Sequence, residues 1–304
     1  MPQRDADFDP ASEPLAGGVA VVQALGRVRE YLLAMKRRVP KELEAVHQLR
    51  VATRRGNAAL DLFADSLDGK EARRWKRRLR KIRRAAGHAR DLDVLLQRQY
   101  EQAGASKRLL QQLRRHRRKA QKELVHYRCQ WSSGSKWHRQ FKRLIRQLRG
   151  VANPPPLPSH SGSPSSDFLR QSLAQFEKRG RKSTRSLTDL HAFRIQAKRL
   201  RYTIEWATPG FKEHTAVKAL KHLRRIQNRL GTINDHAVAI EILSQEKRVP
   251  KRLLRQEKKL LEQAFAVWTL YWDQERQTKF HALAKQLVEP PPQPEPFDLT
   301  LEFR

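Results

Sequence analysis

Apolar residues recur along this chain at spacings of three and four, the mark of helices that bury one face and expose the other. From Leu15 to Arg38 they are Val21, Val22, Leu25, Val28, Leu32 and Met35. Pro40 suits the first turn of a new helix, expected over about 40–66 with Leu43, Val46, Leu49, Ala59, Leu60 and Phe63 as its stripe. A third helix is expected over 70–86, where nine of the twelve positions from Arg73 to Arg84 are basic and only Trp75, Leu79 and Ile82 are left to pack. Gly87 is expected to end it as a left-handed cap, and Arg90-Asp91 to open a fourth helix, capped by Asp91, with Leu92, Leu95 and Leu96. Fifth and sixth helices follow at about 105–130 and 135–149.

Residues 151–166 break the pattern with prolines and serines and read as a linker. The periodicity then restarts, with helices expected at about 167–182, 187–207, 211–230, 234–247, 250–272 and 274–287, so that six are matched by six. The chain therefore divides into a disordered acidic arm (1–14), a first helical half (15–150), the linker (151–166), a second helical half (167–288) and an extended tail (289–304). In the tail Phe297, Leu299, Leu301 and Phe303 alternate as in a short strand. Trp75, Trp137, Trp206, Trp268 and Trp272 fall on or beside the apolar stripes and are expected in the core.

Charge changes this picture from a helical protein to a binder of anions. The 304 residues hold 64 Lys and Arg against 31 Asp and Glu, a formal net charge of +33. Such a chain repels itself unless anions lie against it, so nucleic acid, an acidic membrane surface or a phosphate polymer is the expected partner. The single Cys129 leaves no intramolecular disulfide and no cysteine-rich zinc site, which points to a reducing, cytoplasmic compartment. No run approaches the roughly 18 apolar residues of a membrane span, and the chain reads as soluble.

The basic residues are patterned. His47-Gln-Leu-Arg50-Val-Ala-Thr-Arg54-Arg55 returns 144 residues later as His191-Ala-Phe-Arg194-Ile-Gln-Ala-Lys198-Arg199. On a helix His47, Arg50 and Arg54 share one face, as do His191, Arg194 and Lys198. The offset needs no gap from His47 through Val94 and pairs Leu79 with Leu223, Gly87 with Gly231 and Asp91 with Asp235. It also sets Arg74, Arg77 and Lys81 against Lys218, Lys221 and Arg225, each triplet at i, i+3 and i+7. A repeat this long argues for internal duplication. The expected fold is all-α: two pseudo-symmetric helical bundle halves, about six helices each, packed around a basic groove or pore. The repeat is imperfect at Asn57, which matches Arg201, and at Arg84, which matches Asn228. Arg114-Arg-His-Arg-Arg-Lys119 matches Lys258-Lys-Leu-Leu-Glu-Gln263 and is expected as an exposed patch adding nonspecific attraction, with Arg117 a surface residue.

The doubled His-x-x-Arg-(Val/Ile)-x-x-(Arg/Lys)-Arg motif, its continuation Lys198-Arg-Leu-Arg-Tyr202 and the later Gly-x-x-x-Asp elements resemble the CHAD family, the conserved-histidine α-helical domain. The resemblance covers nearly all of residues 15–288. It implies a pseudo-symmetric helical fold that binds long-chain inorganic polyphosphate in a basic channel and is recruited to polyphosphate granules. It further implies ligand contacts by His47, Arg50, Arg54, Arg55, His191, Arg194, Lys198 and Arg201. Arg74, Arg77, Lys81, Arg84, Arg199, Lys218, Lys221 and Arg225 join them as the remaining repeated or adjacent cations.

Three function classes meet these residues. Noncatalytic polyphosphate binding, with no metal and no cofactor, uses all the repeated cations, since a polymer without bases is held by Arg, Lys and His alone. Nucleic-acid binding shares the electrostatics, but the chain has no zinc finger, RNA-recognition signature or Gly-rich loop, and weak nonspecific association is the expectation. An enzyme acting on phosphoanhydrides would ordinarily show a P-loop or a carboxylate cluster on the basic face, and neither motif is present; phosphotransfer through His47 or His191 is the form such an activity would take.

Overall fold

The computed structural model describes residues 17–35, 44–63, 67–101, 106–149, 164–181, 186–207, 213–246 and 249–288. The arm at 1–14, the helix start at Pro40, most of the linker and the tail from 289 lie outside these residues. Among the described residues the regular structure is ten α-helices: α1 Gly17–Leu33, α2 Glu44–Leu62, α3 Gly69–Glu101, α4 Lys107–Trp131, α5 Lys136–Arg149, α6 Pro164–Gly180, α7 Leu187–Ala207, α8 Glu213–Gln245, α9 Lys251–Tyr271 and α10 Gln274–Val288. The bounds of α3 and α8 differ by 144 at both ends, matching the sequence repeat. None of these helices is long and apolar enough to cross a membrane.

The expected breaks at Gly87 and Gly231 do not occur. Both glycines sit inside 33-residue helices, so the expected third and fourth elements of each half are one. The reason is the buried seam: Trp75, Leu79, Ile82, Ala86, Ala89, Leu92 and Leu96 follow one another at three- and four-residue steps through Gly87, and all are buried. A mid-helix glycine costs about 1 kcal/mol relative to alanine, whereas each buried large side chain contributes roughly 1.5–3 kcal/mol, so packing wins. Asp91 and Asp235 are consequently mid-helix residues, and the capping role expected of Asp91 is corrected.

Each half has an aromatic-rich centre. In the first, Trp75 lies 5.4 Å from Trp131 and 5.9 Å from Phe141, and the Arg78 guanidinium sits 4.5 Å from the Trp75 ring and 4.9 Å from that of Trp137. Burial pushes Arg78 down to about 10, and the two rings replace part of its lost hydration. In the second, Phe176, Phe193, Trp268, Trp272 and Phe280 interlock, with Trp268 stacked on Trp272 at 5.6 Å. The tryptophans are packing residues, Trp206 among them: it lies half-buried against Val51, Ala58 and Tyr202 and donates through Nε1 to the Arg55 carbonyl at 3.1 Å.

The halves share structure. Ala239 and Leu243 of α8 and Leu253 of α9 belong to the same core as Leu92, Leu95 and Leu96 of α3. Beside them Arg98 of α3 donates to both Glu257 oxygens, at 2.9 and 2.8 Å, and His236 meets the same carboxylate at 2.8 Å. Helices α2 and α7 cross with two ion pairs that interchange under the 144-residue offset, Arg55–Glu205 at 3.2 Å and Arg199–Asp61 at 3.8 Å.

The 114–119 run is corrected at one residue. Arg117 is 2 % exposed: its Nε donates to Asp93 Oδ1 at 2.6 Å and its Nη1 to Gln121 Oε1 at 2.9 Å. Arg114, Arg115, Arg118 and Lys119 remain exposed. Arg117 points inward because α4 packs on α3, where Asp93 is 1 % exposed and needs a cation. Arg117→Ala, which strands a buried carboxylate, is expected to lower stability by about 3–5 kcal/mol in urea unfolding. Arg118→Ala, one residue on and exposed, should stay within about 0.5 kcal/mol of the parent.

Candidate functional site

Helices α2 and α7 pack on each other through Val51, Ala58 and Tyr202, which form a small cluster of their own. Because Val51 and Tyr202 occupy the crossing, Arg50 and Arg54 on α2 and Arg194 and Lys198 on α7 are carried into one neighbourhood, backed by α3 and α8. Their mutual effects report this. Arg50 is pushed down to about 10, first by burial, then by Arg54, Arg194 and Arg90, while Asp91 opposes. Arg194 is lowered by burial and then by Arg54. The Lys198 ammonium is held well below its ordinary value by burial, then by Arg54, Arg194 and Arg50.

Two acids stand among these cations. Burial raises the Asp91 carboxyl; Asp235 raises it further, and Arg50 and Arg194 pull it down. Asp235 in turn supports the charged forms of Arg194 and Lys198. Four cations with two carboxylates leave an excess of positive charge in a half-buried place. The depression of Arg50 alone corresponds to ~3 kcal/mol held against its charged form, a cost that a bound anion would relieve.

Local geometry holds the arginines by different means. A Cβ at Gly87 would lie 2.6 Å from Arg50 Nη1, so the glycine serves close approach of the guanidinium to α3. Nothing lies within 4 Å of a Cβ at Gly231; there Arg194 Nη1 donates to Asn234 Oδ1 at 3.3 Å, and His191 Nδ1 lies 3.2 Å from the same oxygen.

The other residues marked by sequence fall into two groups. Arg55, Arg199 and Arg201 are engaged with acids at the α2–α7 contact: Arg55 and Arg201 with Glu205, Arg199 with Asp61. Arg201 is 5 % exposed and also donates to Tyr202 Oη at 3.0 Å. Arg74 pairs with Glu71, whereas Arg77, Lys81, Arg84, Lys218, Lys221 and Arg225 are exposed on the outer rows of α3 and α8. The outer row of α3 runs toward α4, where Arg84 acts on Tyr127. His47 stands half-buried one turn before Arg50.

The structure adds residues that sequence reasoning passed over. Arg83, lowered by burial and then by Arg54 and Arg80, belongs with the central cations. Arg90 acts on Arg50, and Asn234 joins His191 to Arg194. A signal existed for Arg83, since Arg83, Gly87 and Asp91 lie on one helical row at four-residue steps. Asn234 had none, because Arg90 occupies the matching position of the first half. Among the described residues no group of three or more His, Cys, Asp or Glu is arranged to hold a metal.

Comparison with known proteins places this arrangement. No curated protein matches the chain. Solved structures that resemble it along most of its length include the crystal structure of the CHAD domain from the plant Ricinus communis, and PptA from Streptomyces chartreusis. The first has 21 % identity and a TM-score of 0.58, with 94 % of this chain and 97 % of that one covered. The second has 14 % identity and a TM-score of 0.52, with 89 % and 95 % covered. At these identities the likeness is one of fold. The CHAD domain model matches residues 23–244, a span that contains both histidine motifs, α2, α3 and α7 entire and all but the last residue of α8, and the chain belongs to the CHAD domain family.

Proposed function

We propose that the protein binds long-chain inorganic polyphosphate without turning it over, and that this binding brings it to polyphosphate granules in the cytoplasm. The observation that carries the reading is the half-buried meeting of Arg50, Arg54, Arg194 and Lys198, in which Arg50, Arg194 and Lys198 are depressed first by burial and then by neighbouring cations. A polymer with about one negative charge per phosphate supplies what this place lacks. Arginine forks grip its oxygens in pairs, and Lys198 adds a point charge. His47 and His191 extend the contact at the leading ends of the two motifs. Arg77, Lys81, Arg84, Lys218, Lys221 and Arg225 hold the chain where it runs out over α3 and α8. Arg55, Arg74, Arg199 and Arg201, already engaged by carboxylates, keep the face in shape and lend it their charge.

Phosphate polymer is favoured over nucleic acid by the aromatics. A single-stranded nucleic acid is ordinarily held by exposed rings on which bases stack, whereas Trp75, Trp131 and Trp268 are fully buried. Competition tests this: polyphosphate should displace a bound DNA oligonucleotide at lower charge concentration than DNA displaces polyphosphate. Release of inorganic phosphate that stops in His47→Ala or His191→Ala would overturn the noncatalytic reading.

Calorimetry with polyphosphate is expected to show losses of about 1.5–3 kcal/mol for Arg50→Ala and for Arg194→Ala, the range for hydrogen bonds to charged groups. Arg118→Ala should cost a few tenths, and affinity should fall steeply with salt. Losses as small at Arg50 and Arg194 as at Arg118 would remove the site.

Lys198 gives a pH signature. Its ammonium is more acidic in the folded protein than in the unfolded chain, so between those two values the unfolded chain holds the extra proton and stability rises with pH. A bound polyanion raises the folded value again. Binding in that window should therefore take up protons, read as a dependence of the heat on buffer ionisation enthalpy, and the uptake should vanish in Lys198→Met.

A further inference from the structure

The two histidine motifs match closely, but the residue that faces the second histidine does not. Under the 144-residue offset Asn234 on α8 corresponds to Arg90 on α3. Asn234 Oδ1 lies 3.2 Å from His191 Nδ1 and 3.3 Å from Arg194 Nη1. Chemistry settles the protons. A guanidinium only donates, so the amide atom it meets is the oxygen; an amide oxygen only accepts, so His191 Nδ1 carries a hydrogen. The ring's other nitrogen, Nε2, is then the atom left for a ligand, on an exposed side chain.

We propose that Asn234 is a positioning residue for the phosphate-binding face: from one oxygen it fixes His191 as the Nδ1–H tautomer and anchors Arg194, so that Nε2 and the remaining guanidinium edge address the same stretch of polymer. This rests on the polyphosphate reading above. The arrangement works in both charge states of the ring. An amide oxygen accepts from imidazole and imidazolium alike, so Nε2 takes on a proton and becomes a donor to phosphate oxygen without disturbing the bond at Nδ1. Arg194, the other group held by Asn234, stands in turn among Arg54 on α2, Asp91 on α3 and Asp235 on α8, and it acts on Lys198 of α7. The first half works otherwise. Arg90, at the position matching Asn234, carries no acceptor and acts on Arg50, so it brings charge where Asn234 brings an acceptor.

The test joins a spectrum to a titration on the full chain. Histidine-ring 15N NMR, with the His191 signal assigned by its loss in His191→Gln, is expected to show the Nδ1–H tautomer when the ring is neutral. Asn234→Ala should shift it toward the Nε2–H form, while Asn234→Asp, which keeps an accepting oxygen at that place, should retain Nδ1–H. Affinity for inorganic polyphosphate should fall about tenfold in Asn234→Ala, or roughly 1.4 kcal/mol. Asn234→Arg copies the first half and adds a positive charge, and it too should bind more weakly than the parent. An Nε2–H tautomer in the parent protein overturns the proposal, as does a tautomer indifferent to Asn234→Ala or an Asn234→Arg variant that binds more tightly. The spectra need no ligand, so their failure is separate from that of the function: a parent protein that binds no polyphosphate removes the function and, with it, the phosphate role of Asn234.

Discussion

Repulsion among Arg50, Arg54, Arg194 and Lys198 is the constraint around which this molecule is arranged. Left to themselves four cations would separate, and here each pair lies on a helix whose other side is buried. The crossing of α2 and α7 through Val51, Ala58 and Tyr202 sets their spacing, and the two interchanging ion pairs, Arg55–Glu205 and Arg199–Asp61, brace it from either end. Asp91 and Asp235 offset part of the charge from behind, on α3 and α8. The remainder is an electrostatic cost built into the fold, and it is largest where no anion lies.

Much of this was legible in the sequence because the responsible interactions are local or repeated. Apolar stripes at three- and four-residue steps gave the helices, and the gap-free repeat marked the residues of α2 and α7 that the structure brings together. What stayed illegible has specific physical causes. Gly87 and Gly231 carry a local signal for a helix end, but the seam that overrides it is a tertiary fact. On α3 the densest cationic row, Arg74, Arg77, Lys81 and Arg84, faces outward, while the row at the site holds Arg83, Gly87 and Asp91; charge density alone favours the solvent face. Arg117 sits in a run of six basic residues, and only the packing of α4 on α3 distinguishes it by setting it against Asp93.

The helices α3 and α8 share their bounds under the 144-residue offset, but the chemistry around them differs. Gly87 makes room for Arg50, whereas the space at Gly231 is open and Arg194 is held by Asn234 instead. Helices α4 and α5 expose many cations with Glu123 as their one acid, while α9 and α10 mix both signs, with Glu257, Glu262 and Glu275 among their bases. A linear polyanion lying across such a surface would meet an unequal field along its length.

The core shared between Leu92, Leu95 and Leu96 and the residues Ala239, Leu243 and Leu253 has a mechanical consequence. Since the second half completes the packing of the first, and Glu257 ties Arg98 to His236 across the same seam, the halves cannot hinge apart without exposing buried leucines and a buried carboxylate. A jaw that opens and shuts is therefore excluded by the cost of opening. In the polyphosphate reading proposed above, the protein then serves as a fixed template, and the bending needed to fit is done by the polymer.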